Sequence, residues 1–276
     1  MGNLLGEKLA SANSRDVTKI LDRLEEIKEA LEGPLENSID SLFGGSVAKH
    51  TYVDGMSDVD SLLILNDSTL EGSSPSKAIA EVAKIIKDEI GDDTDVTTGR
   101  LAVTVNYADG MQLQLLPALR FGDGLKVPSS RRDGWSDIMP ENFQKALTER
   151  NEECGGKLVP TIKLAKAVIG NLPEVQRLTG YHVESLAIAA FRGYDGTKTT
   201  AAMLPVFFEK ARELVLSPIR DRTGQSVHVD GYLGSANSTE RQAASHLLSR
   251  IAKRMRNASA HQSTDQWEAL FGSDND

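Results

Sequence analysis

Two acidic residues, separated by one position at the start of an apolar run, restrict the fold of this chain more than any other feature. Asp58 and Asp60 lead into Leu62-Leu63-Ile64-Leu65, a run typical of a buried β-strand. Alternate side chains of a strand share one face, so the two carboxylates are expected on the same side. Carboxylate oxygens suit Mg²⁺, which completes its shell with waters and substrate phosphates. The pattern predicts a metal site formed by Asp58 and Asp60, with Mn²⁺ as the alternative ion.

A glycine-rich turn, Gly44-Gly45-Ser46, precedes the acidic pair. Glycines let backbone N–H groups approach phosphate oxygens closely, and Ser46 adds a hydroxyl donor. Alone, a Gly-Gly-Ser run is usually a linker, and an acid pair at the start of a strand is usually a solvated turn. In this order, the two features predict that Gly45 and Ser46 hold a triphosphate while the acids hold a metal, an arrangement suited to nucleotidyl transfer.

Composition limits the classes of protein that need to be considered. The chain has 276 residues, 39% hydrophobic and 26% charged, which is ordinary for a globular protein of one large domain or two lobes. A formal net charge of −9 argues against a global surface for duplex DNA, although a local basic groove is compatible with it. The single cysteine, Cys154, fits a reducing compartment. We expect a cytoplasmic protein without membrane contact, because no signal peptide or bilayer-length apolar run is recognisable.

Apolar periodicity predicts a first part with strands and helices and an all-helical second part, with a substrate cleft between them. The segment 121–130 is predicted to be irregular, and 135–151 to be a loop passing into a helix. The segment past 258 is predicted to be a tail that is polar apart from Trp267, Leu270 and Phe271. The predicted elements are a helix over 16–32 packed on the first part, a strand over 58–65, a helix over 75–90, a hairpin of 101–107 and 111–117 around Asp109-Gly110, and helices over 157–169, 181–191, 200–216 and 239–258.

The order of these features resembles the polymerase-β-like nucleotidyltransferases. More closely, it is similar to the bacterial relatives of cyclic GMP-AMP synthase and oligoadenylate synthase (CD-NTases) that signal in anti-phage defence. The resemblance covers residues 16–258. The residues that carry it are Gly44-Gly45-Ser46, Lys49-His50-Thr51, Asp58-Val59-Asp60, Leu115-Leu116-Pro117-Ala118, Trp135 with Met139-Pro140, Lys157 through Lys166, Tyr181 through Leu186, and the segment from Asp221 to Arg241.

The resemblance implies an α+β, bilobed fold with a mixed-sheet N-terminal catalytic lobe and a helical C-terminal lobe. It implies a catalytic lobe over 1–150, with an N-terminal helix packing across both lobes, a helical lobe over 151–260 and a tail over 261–276. In the family's scheme, NTP substrates are joined with Mg²⁺ into a cyclic or linear oligonucleotide that a downstream effector reads. Oligomeric state does not follow from the sequence.

The resemblance also assigns roles beyond the opening motif. Lys166, assisted by Lys163, would neutralise the triphosphate, and Tyr181 would contact the phosphate tail or stack on a base. From the residues alone, both lysines could equally be solvated helix lysines, and Tyr181 could be a core ring with a solvated hydroxyl. His50 and His182 have no partner at metal-ligand spacing, so no zinc site is expected.

One position departs from the family pattern. Family members usually carry a third catalytic aspartate where this chain has Gln114. An amide oxygen can ligate a cation, but it supplies no charge and accepts no proton from an attacking hydroxyl. Three alternatives follow: a variant that works with two acids, a nucleotide-binding or regulatory protein that has lost catalysis, or an engineered inactive sequence. Transfer of a nucleotide to a protein or tRNA end is a further alternative within the superfamily.

Overall fold

The structure, a computed structural model, describes residues 2–12, 17–35, 39–42, 59–65, 70, 72–90, 94–129, 134–224 and 226–272. Short 3-10 turns lie at Glu174–Gln176 and Gly231–Leu233. The elements in chain order are α1 (Gly2–Ala12), α2 (Val17–Leu35), β1 (Ile39–Leu42), β2 (Val59–Leu65), α3 (Pro75–Glu89), β3 (Thr94–Thr98), β4 (Val103–Tyr107), β5 (Gln112–Phe121), β6 (Gly124–Pro128), β7 (Trp135–Ile138), α4 (Pro140–Glu153), α5 (Leu158–Gly170), α6 (Gly180–Ala190), α7 (Thr200–Leu214), α8 (Thr239–Ala260) and α9 (Thr264–Phe271).

The strands of the described residues form one mixed sheet. Its main order is β1-β2-β5-β4-β3, and β6 pairs with both β5 and β7. The pair β2 and β5 is parallel, whereas the other pairs are antiparallel. All described elements after β7 are helical apart from short turns. The predicted α+β class, with a mixed sheet first and helices second, is confirmed.

Helices α2 and α3 cover one face of the sheet. Helix α3 begins after Ser74, whose side chain accepts a hydrogen bond from the backbone N–H of Lys77, and Pro75 occupies its first turn. Apolar residues of both helices pack in one buried cluster with Leu113 and Leu115 of β5. Because side chains alternate along a strand, Gln112 and Gln114 are left on the other face.

A second core lies among the C-terminal helices. Leu4 and Leu5 of α1 belong to it, so α1 packs on α5, α7 and α9, whereas α2 packs on α3 and β1. The core also takes in Phe143 and Leu147 of α4, which precede the predicted lobe boundary at 151. The proposed lobe limits stay a prediction.

Three segments differ from the sequence-based expectation. The prediction of an irregular segment over 121–130 is wrong, because β5 runs to Phe121 and β6 follows after a two-residue turn. The predicted loop at 135 begins with β7, which pairs with β6. The polar tail contains α9, whose Trp267 is buried. Strands β6 and β7 are short and pair with β5 and with each other, whereas α9 packs on the distant helices α1 and α5. The periodicity of each element is too short to identify it. The described helices include none that is long and apolar enough to cross a membrane.

Candidate functional site

The centre of the predicted site is a pair of positions on β2 and β5. Asp60 of β2 and Gln114 of β5 are register partners in the parallel pair. Thr104 of β4 is the partner of Gln114 on the other side. Register partners on adjacent strands share a face of the sheet. Positions 60, 114 and 104 therefore form one row across the sheet, on the face opposite the α2 and α3 helices.

The face that carries this row is polar on the β4 and β3 side. Gln114 and Gln112 are both half-buried. The side-chain amide of Gln112 donates to Oδ1 of Asn106 at 2.7 Å, and the amide of Asn106 donates to the backbone carbonyl of Asp95 at 3.3 Å. Gln112 and Gln114 lie on the same face of the sheet as position 60, because Gln114 is the register partner of that position.

The other residues of the opening motif, Gly45, Ser46 and Asp58, lie outside the described residues. Among the described residues, no group of three histidine, cysteine, aspartate or glutamate side chains could hold a metal ion. Gln114 and Thr104 of this row carry side-chain oxygens, and oxygen donors are the ones that hard cations select. A glutamine at the third position leaves this row with one less negative charge than an aspartate would give.

The two predicted lysines of α5 have different surroundings. The ammonium of Lys166 is buried and pairs with Oε1 of Glu184 at 2.7 Å, and both side chains are 1% exposed. Lys163 is half-buried. Its pKa is lowered by desolvation first and by the positive charge of Lys166 second. The structure therefore brings Lys166 to an acid of the helical core and leaves Lys163 nearer the surface.

Tyr181 lies in the first turn of α6, after the N-cap Thr179. Its ring packs on Phe143 with centroids 4.8 Å apart. Its hydroxyl donates to Oδ1 of Asp221 at 2.7 Å. Burial first, and then Asp221, raise the pKa of Tyr181 far above its usual value. The phenol therefore stays protonated as a hydrogen-bond donor, and its ring orientation is fixed at both ends.

Asp221 is a buried carboxylate that the sequence analysis did not identify as functional. It accepts hydrogen bonds from the backbone N–H and the hydroxyl of Thr223, both at 2.8 Å. The backbone N–H and hydroxyl of Ser226 donate to its second oxygen at 3.0 and 2.9 Å. Burial raises the pKa of Asp221, but hydrogen bonds from Tyr181, Thr223 and Ser226 outweigh it and keep this pKa below its usual value. The run Asp-Arg-Thr-Gly, typical of a turn, was the available signal.

The turn at 221–224 also contacts the start of α4. The backbone N–H of Met139 donates to the carbonyl of Thr223 at 2.8 Å. Met139 connects β7 of the sheet with α4 of the helical core. One turn thus contacts both the first turn of α6 and the connection between sheet and helices.

Glu184 is a second residue that sequence analysis missed. It is an isolated acid on the apolar helix α6, three positions after Tyr181. A lone acid on such a helix is a signal of a buried partner, because an unpaired buried charge is costly. The partner itself, Lys166, is 18 positions away on another helix, so periodicity could not name it.

Comparison with known proteins gives a family and a fold. The family model described as the Second Messenger Oligonucleotide or Dinucleotide Synthetase (SMODS) domain matches residues 5–151. No curated protein matches the sequence.

Solved structures of three bacterial proteins are similar over most of the chain. Escherichia coli MS115-1 CdnC with ATP is 14% identical, with 99% of this chain and 98% of that chain covered and a TM-score of 0.76. Bradyrhizobium diazoefficiens CdnG with GTP is 15% identical, with 98% and 94% covered and a TM-score of 0.75. Vibrio cholerae DncV cyclic AMP-GMP synthase is 10% identical, with 86% and 69% covered and a TM-score of 0.68. At these identities the similarity shows a common fold. Because the family model spans more than half of the sequence, this chain belongs to the SMODS family, within the bacterial CD-NTases related to cyclic GMP-AMP synthase.

Proposed function

We propose that this chain is a nucleotidyltransferase that uses NTPs and a divalent metal, Mg²⁺ or Mn²⁺, to make a cyclic or linear oligonucleotide second messenger in anti-phage defence. The observation that carries the proposal is the register of Asp60 with Gln114, because it aligns the acidic motif with the position of the family's third ligand. Family membership supports the product class. The proposal includes action in the cytoplasm and a downstream effector that reads the product.

In this proposal Asp58 and Asp60 hold the metal, and Gln114 adds a neutral amide oxygen. A donor set made only of oxygens fits Mg²⁺ better than a soft metal. When bound, the metal supplies positive charge against the phosphate oxygens of the NTP. Gly45 and Ser46 bind the β and γ phosphates by donating hydrogen bonds.

The helical lobe contributes charge and orientation. We take residues 1–150 as the catalytic lobe, 151–260 as the helical lobe and 261–276 as the tail. The buried pair of Lys166 with Glu184 carries no net charge. In this proposal Lys163 therefore supplies the net positive charge of α5 toward the triphosphate, and Lys166 has a secondary role from its buried position. Tyr181 presents its ring to a base, in an orientation that its hydrogen bond to Asp221 fixes.

A second candidate function is nucleotide binding without turnover. The specific observation is again Gln114, which aligns with Asp60 but cannot take a proton from an attacking hydroxyl. A protein of this kind would bind NTPs and respond to them as a regulatory subunit. It would be stabilised by NTPs without forming product.

The experiment that separates the two candidates uses wild type and Gln114→Asp with labelled NTP mixtures and Mg²⁺ or Mn²⁺. The synthetase proposal expects phosphatase-resistant products that increase in Gln114→Asp, because a charged ligand and proton acceptor is added. Asp60→Ala should abolish them. If neither wild type nor Gln114→Asp gives product with any mixture, the synthetase proposal fails, and thermal stabilisation by NTPs would then support the second candidate.

Gln112→Asp is the matched control. Gln112 lies on the same strand and face as Gln114, but its register partner on β4 is Asn106 and it lies outside the paired stretch with β2. It adds the same charge two positions away. An equal gain from Gln112→Asp would indicate a general charge effect and would contradict the assignment of Gln114 to the ligand position.

A further inference from the structure

Arg222 occupies a fixed position in the turn that contacts Tyr181. On one side of it, Asp221 accepts the hydroxyl of Tyr181 at 2.7 Å. On the other side, the carbonyl of Thr223 accepts the backbone N–H of Met139 at 2.8 Å. The residues on both sides of Arg222 are therefore fixed by hydrogen bonds, so its main chain lies between the start of α4 and the first turn of α6. Its side chain is half-buried in this position.

The guanidinium of Arg222 has no hydrogen bond or ion pair with any residue that the structure describes. Other buried cations of this chain do have acids: Lys166 pairs with Glu184, and Arg241 pairs with Asp230 at 2.7 Å. A partly desolvated guanidinium without an anion is unfavourable. Among the residues that the structure describes, the half-buried Arg222 therefore differs from Lys166 and Arg241, whose charges are paired.

Two more arginines raise the local positive charge. Desolvation and then Arg192, two residues past the end of α6, lower the pKa of Arg222; Tyr181 opposes this shift, and Arg150 of α4 adds to it. Arg150 pairs with Glu153. Its Nε is nevertheless buried without an acceptor among the described residues. Arg192 and Arg150 therefore add positive charge near Arg222.

We propose that Arg222, with Arg192 and Arg150 adding positive charge nearby, binds a phosphate group of a nucleotide whose base or sugar lies at Tyr181. Guanidinium groups bind phosphate oxygens through paired N–H donors, which a lysine cannot reproduce. A phosphate carries more negative charge and more acceptor oxygens than a carboxylate, so it suits a guanidinium in these positively charged surroundings better. The identity of the ligand as a nucleotide rests on the proposed function; the phosphate site itself rests on the arginines.

Calorimetric titration of the full chain with inorganic tripolyphosphate in EDTA tests the site. EDTA removes the metal-dependent binding at the acidic motif, and the comparison with Arg222→Gln separates the contribution of Arg222 from that of Ser46 and Lys163. We expect binding by wild type, a loss of about tenfold or more in Arg222→Gln, and an intermediate loss in Arg222→Lys. Arg212→Gln is the matched control, since Arg212 is an exposed arginine of α7, and it should bind as wild type does. Failure of wild type to bind tripolyphosphate, or equal binding by Arg222→Gln, would overturn the proposal.

Titrations with ATP and with adenosine identify the source of the effect. The proposal expects the same fold loss for ATP and tripolyphosphate in Arg222→Gln, and no change for adenosine. A loss for adenosine of the same size would assign Arg222 to the base or sugar and overturn the phosphate site.

Arg222-dependent binding without any oligonucleotide product would keep this inference while the proposed function fails. If the protein forms oligonucleotide product but binds phosphate equally well without Arg222, this inference fails while the proposed function stands. If Arg222→Gln does not fold, Arg222→Lys still tests the site, because it keeps the positive charge and should show the intermediate loss of binding.

Discussion

The hydroxyl of Tyr181 donates a hydrogen bond to Oδ1 of Asp221 at 2.7 Å, between residues 40 positions apart. The acceptor is a carboxylate with 6% exposure, and four other donors from Thr223 and Ser226 converge on it. The bond is charge-assisted and shielded from water, so it should contribute more than an ordinary hydroxyl contact. It joins the first turn of α6 to the turn that also contacts Met139.

Tyr181→Phe should lower the free energy of unfolding by about 1.5–3 kcal/mol, the usual value for a hydrogen bond to a charged group. Asp221→Asn should cost more, because it removes the charge and turns a donor toward the N–H groups of Thr223 and Ser226. Urea unfolding measures both. Tyr194→Phe is the control, since the hydroxyl of Tyr194 donates to a neutral carbonyl, that of Thr197, at 3.1 Å in an exposed position. Equal losses for the two tyrosines would contradict the special weight of Asp221.

His182 makes the stability of the chain depend on pH. It is fully buried, with Nδ1 2.8 Å from the hydroxyl of Tyr232. Desolvation lowers the pKa of His182 from 6.5 to about 4; Asp230 opposes the shift and Arg241 adds to it. The folded state therefore keeps the imidazole neutral, whereas the unfolded chain takes up a proton below pH 6.5. The stability of the fold is complete above that pH and falls as the pH decreases toward 4.

The loss should reach about 2 kcal/mol between about pH 7.5 and about pH 5. Urea unfolding at the two pH values measures it. His182→Gln should reduce this difference, although it lowers stability at both pH values because the hydroxyl of Tyr232 loses its partner. His246→Gln, a change on the exposed side of α8, should keep the wild-type difference. A His182→Gln protein with the full wild-type difference would show that other groups cause it.

The pair of Lys166 and Glu184 should show strong coupling. Both side chains are 1% exposed, so removing one partner leaves the other buried charge without this ion pair. Lys166→Met or Glu184→Leu alone should cost about 3–5 kcal/mol, whereas the double variant should cost much less than the sum. A double-mutant cycle in urea measures this coupling.

The exposed pair of Arg256 and Glu209 is the control for that cycle. Its side chains are 57% and 36% exposed, and such pairs couple by under about 1 kcal/mol because water screens them. If the buried pair couples no more strongly than the exposed one, Lys166 is not held by Glu184 in solution. If both single variants fail to fold, folding of the double variant alone would establish the coupling.

Local signals predicted the elements that position the acidic motif. Helix α3 starts at Pro75 as expected, and Asp109-Gly110 forms the turn of the β4–β5 hairpin. The alternation of Gln112 and Gln114 with buried leucines was sufficient to place both on one face. The sequence could not give the parallel register that brings Asp60 to Gln114, because it depends on a crossover through α3.

Long-range contacts account for the part of the candidate site that was missed. Asp221 contacts Tyr181 only because α6 brings the tyrosine to it, and Glu184 contacts Lys166 only because α5 brings the lysine to it. From its neighbours in sequence alone, Asp221 is typical of a turn residue and Glu184 of a helix residue. Strand β6 was missed for a different reason: it is five residues long, too short for its own alternation to identify it, although its partners β5 and β7 are close in sequence.

A substitution at Gly124 tests the packing of strand β6, which the sequence analysis missed. It begins β6 opposite Phe121 of β5. A Cβ at this position would lie 2.7 Å from the carbonyl oxygen of Ile138 and 2.9 Å from Sδ of Met139. Backbone cannot move away as a flexible side chain can, so Gly124→Ala should destabilise by about 1–3 kcal/mol, the usual cost of overpacking.

Thermal and urea unfolding of Gly124→Ala should be compared with Gly6→Ala. Gly6 lies in the exposed part of α1, and a Cβ there meets nothing within 4 Å. In a helix, alanine is favoured over glycine by about 1 kcal/mol, so Gly6→Ala should be neutral or stabilising. The two variants add the same methyl group with opposite expected signs. A neutral Gly124→Ala would mean that β7 and the start of α4 do not pack against β6. It would also contradict the position of Met139 from which its backbone N–H donates to Thr223.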